Sequence, residues 1–196
     1  MKKSLIAIIG LVVLIVIIFL WFQGIYNNLV QSDENVKSAW GNVENQYQRR
    51  ADLVLNLVAT VKGYATHEAT TLENVINARA KATQVTIDPT NLNEENLAQF
   101  QSVQGELSST LNRLLVNVEA YPDLKANQNF LDLQAQLEGT ENRIATERMR
   151  FNETAQKYNT LVRRFPNNIV AGISGFSVKP YFKADSGAEK APEVKF

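Results

Sequence analysis

Leu5 to Phe22 reads LIAIIGLVVLIVIIFLWF, an uninterrupted run of uncharged residues that follows Lys2 and Lys3. A helix of about 20 apolar residues crosses the ~30 Å hydrocarbon core of a bilayer, and extending the run to Tyr26 reaches that length. The aromatic residues at its far end lie where aromatic belts form at membrane surfaces. The sequence therefore predicts a transmembrane helix over residues 5–26, which holds the chain in the lipid bilayer.

The charges on the two sides of this helix predict its orientation. Two lysines precede it, whereas the first charged residues after it are Asp33 and Glu34. Because positively charged flanks stay in the cytoplasm, we expect residues 1–4 to be cytoplasmic. Everything from about Asn27 onward is then expected outside the cytoplasm.

A secretory signal peptide that is later removed is the alternative interpretation. It requires an apolar core of about 7–15 residues and an A-x-A-like cleavage site. Here the run is longer, and residues 19–26 read FLWFQGIY, with no small residues at alternate positions. We therefore predict an uncleaved anchor. The chain has no cysteine, so packing alone must stabilise the part outside the membrane.

Beyond the anchor, apolar residues repeat at alternating steps of four and three. This spacing predicts a long helix with one buried face. Gly63, near its end, is either a kink or a turn, and we favour the kink because the heptad phase continues to about Thr83. The series comprises Val36, Trp40, Val43, Tyr47, Val54, Leu57, Val61 and Tyr64.

Two further helices with apolar seams of their own are predicted. Asn91 and Glu94 have the spacing of a helix N-cap and its reciprocal partner, so a second helix begins there, and Pro122 ends it. Asp123 can cap a third helix, which Pro166 closes.

The fold class follows from these helices. No segment up to Phe165 shows the sustained alternation of a β-strand. We predict an all-α fold, in which residues 27–165 form an antiparallel bundle of three to four long helices. The number is four if Gly63 is a turn and three if it is a kink.

Three charged residues occupy seam positions. They are Arg50 in the first helix and Glu141 and Arg148 in the third. A charge inside a bundle must be paired, so we predict a structural ion-pair network in which Arg50 meets Glu141 or another acidic residue and fixes the helix register. Alternatively, the seam drifts by about 20° per heptad and these side chains lie at its solvated rim.

The composition changes after Phe165. Residues 166–196 contain Gly172 and Gly175 among apolar residues, so we predict a non-helical C-terminal segment that packs on something. The last three residues, 194–196, could add as a strand to a PDZ-type groove, although a docked or frayed tail is the simpler interpretation. The candidate partner-docking residues are Ile169, Phe176, Tyr181, Phe182, Val194 and Phe196.

The sequence predicts no catalytic, cofactor-binding or metal-binding residue. His67 is the one histidine and there is no cysteine, which nearly excludes metal sites and nucleophile constellations. Basic and acidic residues balance at 20 each, so no nucleic-acid surface is expected. An enzyme using carboxylates alone requires paired acids in a pocket, and no pair is indicated.

Short blocks of sequence from Tyr26 to the last residue carry a more specific signal. They include RRADL, VKGYA, EAYPDLKA, EGTEN and the closing VKF, at residues 49–53, 61–65, 119–126, 138–142 and 194–196. Together they resemble the LemA family. Leu55 departs from it, because the family more often has proline there, so the first helix is expected to be straighter.

The resemblance implies a single-pass protein of the bacterial inner membrane, with its N-terminus in the cytoplasm and a helical bundle outside. It implies no catalytic residues. Genes of LemA-like proteins often lie beside genes for TPM-domain proteins and membrane zinc metallopeptidases, which suggests such proteins as partners by association only.

We therefore predict a non-enzymatic envelope protein that acts as a scaffold or adaptor through protein partners or self-assembly. The alternative is a membrane-remodelling or membrane-surface-binding module that uses the apolar segment 169–182.

Overall fold

The computed structural model of the chain describes residues 2–64 and 68–183. These residues form six helices and no strand, which confirms the predicted all-α fold. The helices are α1 (Lys2–Lys62), α2 (Ala69–Gln84), α3 (Glu94–Val118), α4 (Pro122–Lys125), α5 (Gln128–Arg163) and α6 (Asn167–Ser174).

Helix α1 runs without interruption from the apolar stretch into the bundle. Its large apolar side chains from Leu5 to Trp21 are exposed along the whole stretch. Within the described residues, α1 is the one helix long and apolar enough to cross a membrane. Exposed apolar surface of this extent is unfavourable in water and favourable in lipid.

The remainder of α1 is the central helix of the bundle. It packs along α5 and also against α2, and α2 packs against α3. The buried side chains form two clusters. The anchor-side cluster includes Leu29, Val36, Trp40, Phe100, Phe151 and Val162. The far cluster includes Val54, Leu57, Val75, Leu111, Leu114 and Phe130.

The prediction of a kink at Gly63 is wrong. Helix α1 ends at Lys62, and the amide of Tyr64 donates to the carbonyl of Val61 at 3.0 Å, which tightens the last turn. The next described helix, α2, packs back against α1, so the described part of the bundle has four long helices, α1, α2, α3 and α5. Heptad phase continues across the turn because α2 also needs an apolar face, which it buries against α1 and α3.

Two predicted helix caps also lie elsewhere. Asn93, not Asn91, caps α3, since its side chain accepts from the amide of Asn96 at 3.0 Å and the Asn96 side chain returns the bond at 3.0 Å. Asn91 belongs to a short 3₁₀ turn that precedes α3. Asn127, not Asp123, caps α5 by accepting from the amide of Phe130 at 3.1 Å.

The prediction of a non-helical segment over residues 166–196 is wrong for Asn167–Ser174, which form α6. Helix α6 forms because Val170 and Ala171 are buried against the bundle, where α6 contacts α1 and α5. Gly175 ends it with a φ of 78°, the left-handed conformation that glycine adopts readily. Residues 176–183, which we call the strap, then run without helix or strand.

Candidate functional site

A layer of polar side chains lies between the two apolar clusters. Nη1 of Arg50 donates to Oε1 of Glu141 at 2.7 Å and to Oγ of Ser108 at 2.8 Å. Nη2 of Arg50 donates to the side-chain oxygen of Gln104 at 2.5 Å and to its carbonyl oxygen at 3.2 Å. We call Arg50, Gln104, Ser108 and Glu141 the polar layer. It joins α1, α3 and α5 at one level of the bundle.

Burial is unequal within this layer. The Arg50 side chain is 2% exposed, whereas that of Glu141 is 46% exposed. The guanidinium also lies 5.0 Å from the ring centre of Tyr47, a cation–π contact. Arg50 is therefore a buried cation whose carboxylate partner remains in water. The structure brings the predicted pair together, and its role in fixing the register stays a prediction.

Arg148, the third predicted member, lies beside the polar layer and also contacts the strap. Its Nη2 donates to the carbonyl of Lys183 at 2.9 Å, and its guanidinium lies 4.9 Å from the ring centre of Phe182. A cavity of about 360 Å³ is lined by Arg50, Glu141 and Arg148 together. The described residues contain no group of three histidine, cysteine or acidic side chains that could hold a metal ion.

Two asparagines of α5 hold the backbone of the strap. Asn159 accepts from the amide of Lys179 at 2.7 Å and donates to its carbonyl at 2.8 Å. Asn152 makes the same pair of bonds to Phe182, at 2.8 Å and 3.0 Å. The two side chains are seven residues apart and share one helix face. Sequence reasoning missed this clamp, because an asparagine within a helix carries no sign of a distant backbone partner.

A cluster of charges lies where the strap crosses α1. Each carboxylate oxygen of Asp33 forms an ion pair with one lysine: Oδ2 lies 2.9 Å from Nζ of Lys37, and Oδ1 lies 3.1 Å from Nζ of Lys179. Lys179 is buried, and its amine lies 5.8 Å from the ring centre of Tyr158. Burial alone would raise the pKa of Asp33, but hydrogen bonds from the two lysines bring that pKa below its usual value. Burial, with the charge of Asp33, raises the pKa of Tyr158 to about 12.

The predicted docking residues fall in different environments. Phe182, one of the candidate partner-docking residues, is buried between Trp40 and Phe151 of its own bundle, with ring centres 5.9 and 5.4 Å away. Side chains of its own bundle therefore cover the apolar ring of Phe182.

The other described members of that set lie at or near the surface. Phe176 is partly buried and packs edge-on against Tyr26 at 5.8 Å. Tyr181 is exposed, and its hydroxyl accepts from Asn159 at 2.9 Å. Ile169 is exposed on α6. Val194 and Phe196 lie outside the described residues.

Comparison with known proteins identifies relatives over most of the chain. Magnetosome protein MamQ 2 of Paramagnetospirillum magneticum is 26% identical over 175 residues, which cover 81% of this chain and 64% of that protein. Magnetosome protein MamQ of Magnetospirillum gryphiswaldense is 26% identical over 174 residues, 80% of this chain and 64% of that protein. Protein LemA of Metamycoplasma hominis is 24% identical over 155 residues, 79% of this chain and 67% of that protein.

The chain thus spans just under two thirds of the length of the MamQ proteins that it matches. A model of the LemA family matches residues 39–196, which include the polar layer, the asparagine clamp and α6. The resemblance carried by the sequence blocks is confirmed over well more than half of the chain: it belongs to the LemA family.

Proposed function

We propose that this chain is a non-enzymatic scaffold or adaptor of the bacterial cell envelope. Residues 5–26 hold it in the inner membrane, and the bundle acts through protein partners or self-assembly. The observation that carries the proposal is the continuity of α1, which is both the candidate anchor and the central helix of the bundle.

This continuity attaches the bundle rigidly. The first fully buried core residue is Leu29, three residues after Tyr26, and Phe22 and Ile25 already pack against its cluster, so no linker separates the apolar stretch from the folded part. From Tyr26 to Lys62 the helix rises about 50 Å, at about 1.5 Å per residue. The far end of the bundle is therefore presented at a set height and orientation above the bilayer, as a scaffold requires.

The topology is part of the proposal. The lysines before the apolar stretch and the acidic residues after it support an extracytoplasmic bundle. Because the chain has no cysteine, Val116→Cys provides a single thiol at the exposed far end of the bundle. We expect a membrane-impermeant maleimide to label this thiol in cells with a permeable outer layer and an intact inner membrane. Labelling only after the inner membrane is broken would refute the orientation.

A photo-crosslinking residue tests for partners in native membranes. Val116 and Leu131 are exposed apolar residues at the far end, near the end of α3 and the start of α5. Gln48, exposed on the middle of α1, is the matched control. We expect discrete crosslinked species from the far-end positions, either one other protein or the chain itself. Uncrosslinked monomer at all three positions would refute the proposal.

Mass spectrometry of these species identifies the partner. TPM-domain proteins and membrane metallopeptidases are the candidates that family association suggests, and a self-crosslink would instead support assembly of copies.

The alternative function is a membrane-surface module using segment 169–182. Fewer residues of this segment can contact a membrane than the sequence suggested, because the strap holds Lys179 and Phe182 against the bundle. The large apolar residues that remain exposed in this segment are Ile169 and Ile173 on α6 and Val178 and Tyr181 in the strap.

A further inference from the structure

A small apolar surface lies at the junction of α5 and α6. Phe165 is 75% exposed, Ile169 51% and Ile173 73%. Ile169 and Ile173 are four residues apart and share one face of α6, while the buried Val170 and Ala171 face the bundle. We call Phe165, Ile169 and Ile173 the α6 patch. Its exposed large side chains are neighbours in the chain rather than isolated residues, and exposed apolar patches mark sites that bind proteins or membranes.

The α6 patch lies at the level where the apolar stretch of α1 ends. Phe176, just after α6, packs on Tyr26 at 5.8 Å. Val170 and Ala171 belong to the same cluster as Leu29, and Phe22 and Ile25 pack against that cluster. A 30 Å hydrocarbon core measured from Leu5 ends near residue 25, at about 1.5 Å per residue. Helix α6 is therefore placed at the boundary between hydrocarbon and headgroups.

The charges around the patch are complementary to anionic lipid. Arg163 and Arg164 are exposed and directly precede Phe165. No acidic residue occurs between Glu153 and Asp185. The acidic residues of α1 nearest this level, Asp33 and Glu34, both pair with Lys37. Arginines beside exposed aromatic and branched side chains are typical of segments that lie on a membrane surface.

We propose that the α6 patch binds the surface of the bilayer, with its three apolar side chains at the acyl boundary and Arg163 and Arg164 on the phosphates of anionic lipids. A short helix alone binds membranes weakly, but α1 holds this one beside the surface at high effective concentration. The chain then has two attachments to the membrane, α1 and α6, and the tilt of the bundle is restricted. This inference rests on the anchoring role of α1 in the proposed function.

The test places a single environment-sensitive fluorophore on the full chain in vesicles. Ile173→Cys reports the patch, Val116→Cys the far end of the bundle and Val12→Cys the anchor. The vesicles contain phosphatidylcholine brominated on its acyl chains and about 30% phosphatidylglycerol. We expect the label at 173 to be quenched by brominated lipid at least about twofold more than the label at 116, and by aqueous iodide at least about twofold less.

The three labels separate failure of the patch from failure of the anchor. If the label at 173 behaves like that at 116 while the label at 12 is strongly quenched by brominated lipid, the α6 patch does not touch the membrane. Protection of the label at 173 from both quenchers would also overturn the proposal, because another protein surface would then cover the patch. If brominated lipid does not quench the label at 12, the anchor itself fails.

Removal of the two positive charges tests the arginines. We expect Arg163→Ser/Arg164→Ser in the Ile173→Cys chain to remove most of the additional quenching that phosphatidylglycerol produces over pure phosphatidylcholine. Arg113→Ser, an exposed arginine on α3, is the matched control and is expected to leave it unchanged. An unchanged dependence on phosphatidylglycerol in the double variant would refute the contact between these arginines and anionic lipid.

Discussion

The unequal burial of Arg50 and Glu141 predicts that substitutions of the two residues destabilise the bundle unequally. Glu141→Gln leaves the guanidinium of Arg50 buried without a compensating charge, whereas Arg50→Met removes the buried charge and leaves a half-exposed carboxylate that water can solvate. We therefore expect Glu141→Gln to destabilise the bundle more than Arg50→Met. If each hydrogen bond of Arg50 added its own stabilisation and burial of the charge cost nothing, Arg50→Met would instead be the more destabilising variant.

The structure sets the size of each effect. A hydrogen bond to a charged group contributes about 1.5–3 kcal/mol, and because Glu141 is half-exposed, solvent screening places Glu141→Gln near the lower end, about 1.5 kcal/mol. Replacing a buried ion pair with apolar side chains of similar volume is often nearly neutral, and here Glu141, the partner that remains, is half-exposed and can be solvated. The buried oxygen of Gln104 loses its bond from Arg50, although its amide keeps the carbonyl of Ala82 at 3.1 Å. We expect Arg50→Met to stay within about 1 kcal/mol of the wild type.

Urea unfolding of the full chain in detergent micelles measures both variants. Trp40 is buried in the anchor-side cluster, and Trp21→Phe leaves it as the sole tryptophan reporter. With a slope of about 2 kcal/mol per molar urea, Glu141→Gln should lower the midpoint by about 0.7 M. The double variant should match Arg50→Met within about 0.5 kcal/mol, because the carboxylate has lost its partner.

Two results would refute this reasoning. If Arg50→Met costs about 3 kcal/mol or more, the arginine stabilises the bundle by more than its burial costs. If Glu141→Gln has no effect, the pair is a surface contact without energetic weight. Spin-label distances between Gln48 on α1 and Arg143 on α5 test the register separately: the register hypothesis predicts a broader distribution in Arg50→Met, and an unchanged narrow one would remove it.

Three further predictions concern the strap and the charges beneath it. Because the folded-state pKa of Asp33 is lowered, its stabilisation is present above the unfolded pKa and is lost as pH falls through the folded pKa. Urea titration at each pH should therefore show that the unfolding free energy of the wild type decreases as the pH drops below about 4. Asp33→Asn should change less over this range, and at pH 7 it should already be about 2 kcal/mol less stable than the wild type. Asn159→Ala leaves the buried amide and carbonyl of Lys179 without their side-chain partner, so it should cost about 2–3 kcal/mol and release the strap to proteolysis, more than Asn152→Ala at a part-buried site. The buried hydroxyl of Tyr158 has no hydrogen-bond partner among the described residues, so Tyr158→Phe should change the unfolding free energy by less than about 0.5 kcal/mol in the same titration.

The sequence predicted the features that depend on periodicity and run length. The apolar stretch, the seams and the all-α class follow from local patterns that a helix displays directly. Of the heptad series, all members except Tyr64 are buried in the structure. The pairing of Arg50 with Glu141 also followed from position, since both break an apolar seam and a buried cation needs a carboxylate.

Errors arose where two local signals competed. Asn91 and Asn93 both precede the acidic first turn of α3, and the sequence alone does not say which residue adopts the extended cap conformation. At Gly63 the heptad phase was compatible with both a continued helix and a turn, and the burial of α2 against its neighbours decided for the turn. Helix α6 was missed because Gly172 within it and Gly175 after it argue against a helix, whereas packing of Val170 and Ala171 on the bundle stabilises it.

What the sequence determined by itself was the class of molecule: an apolar helix long enough to cross a membrane, followed by amphipathic helices of the LemA family. Tertiary structure alone decided the contacts between residues far apart in the chain. The asparagine clamp, the lysine pair on Asp33 and the burial of Phe182 against Trp40 join α1 and α5 to the strap. Such contacts depend on where the chain returns, and a local sequence pattern reports the face that a residue occupies but not the partner that it meets there.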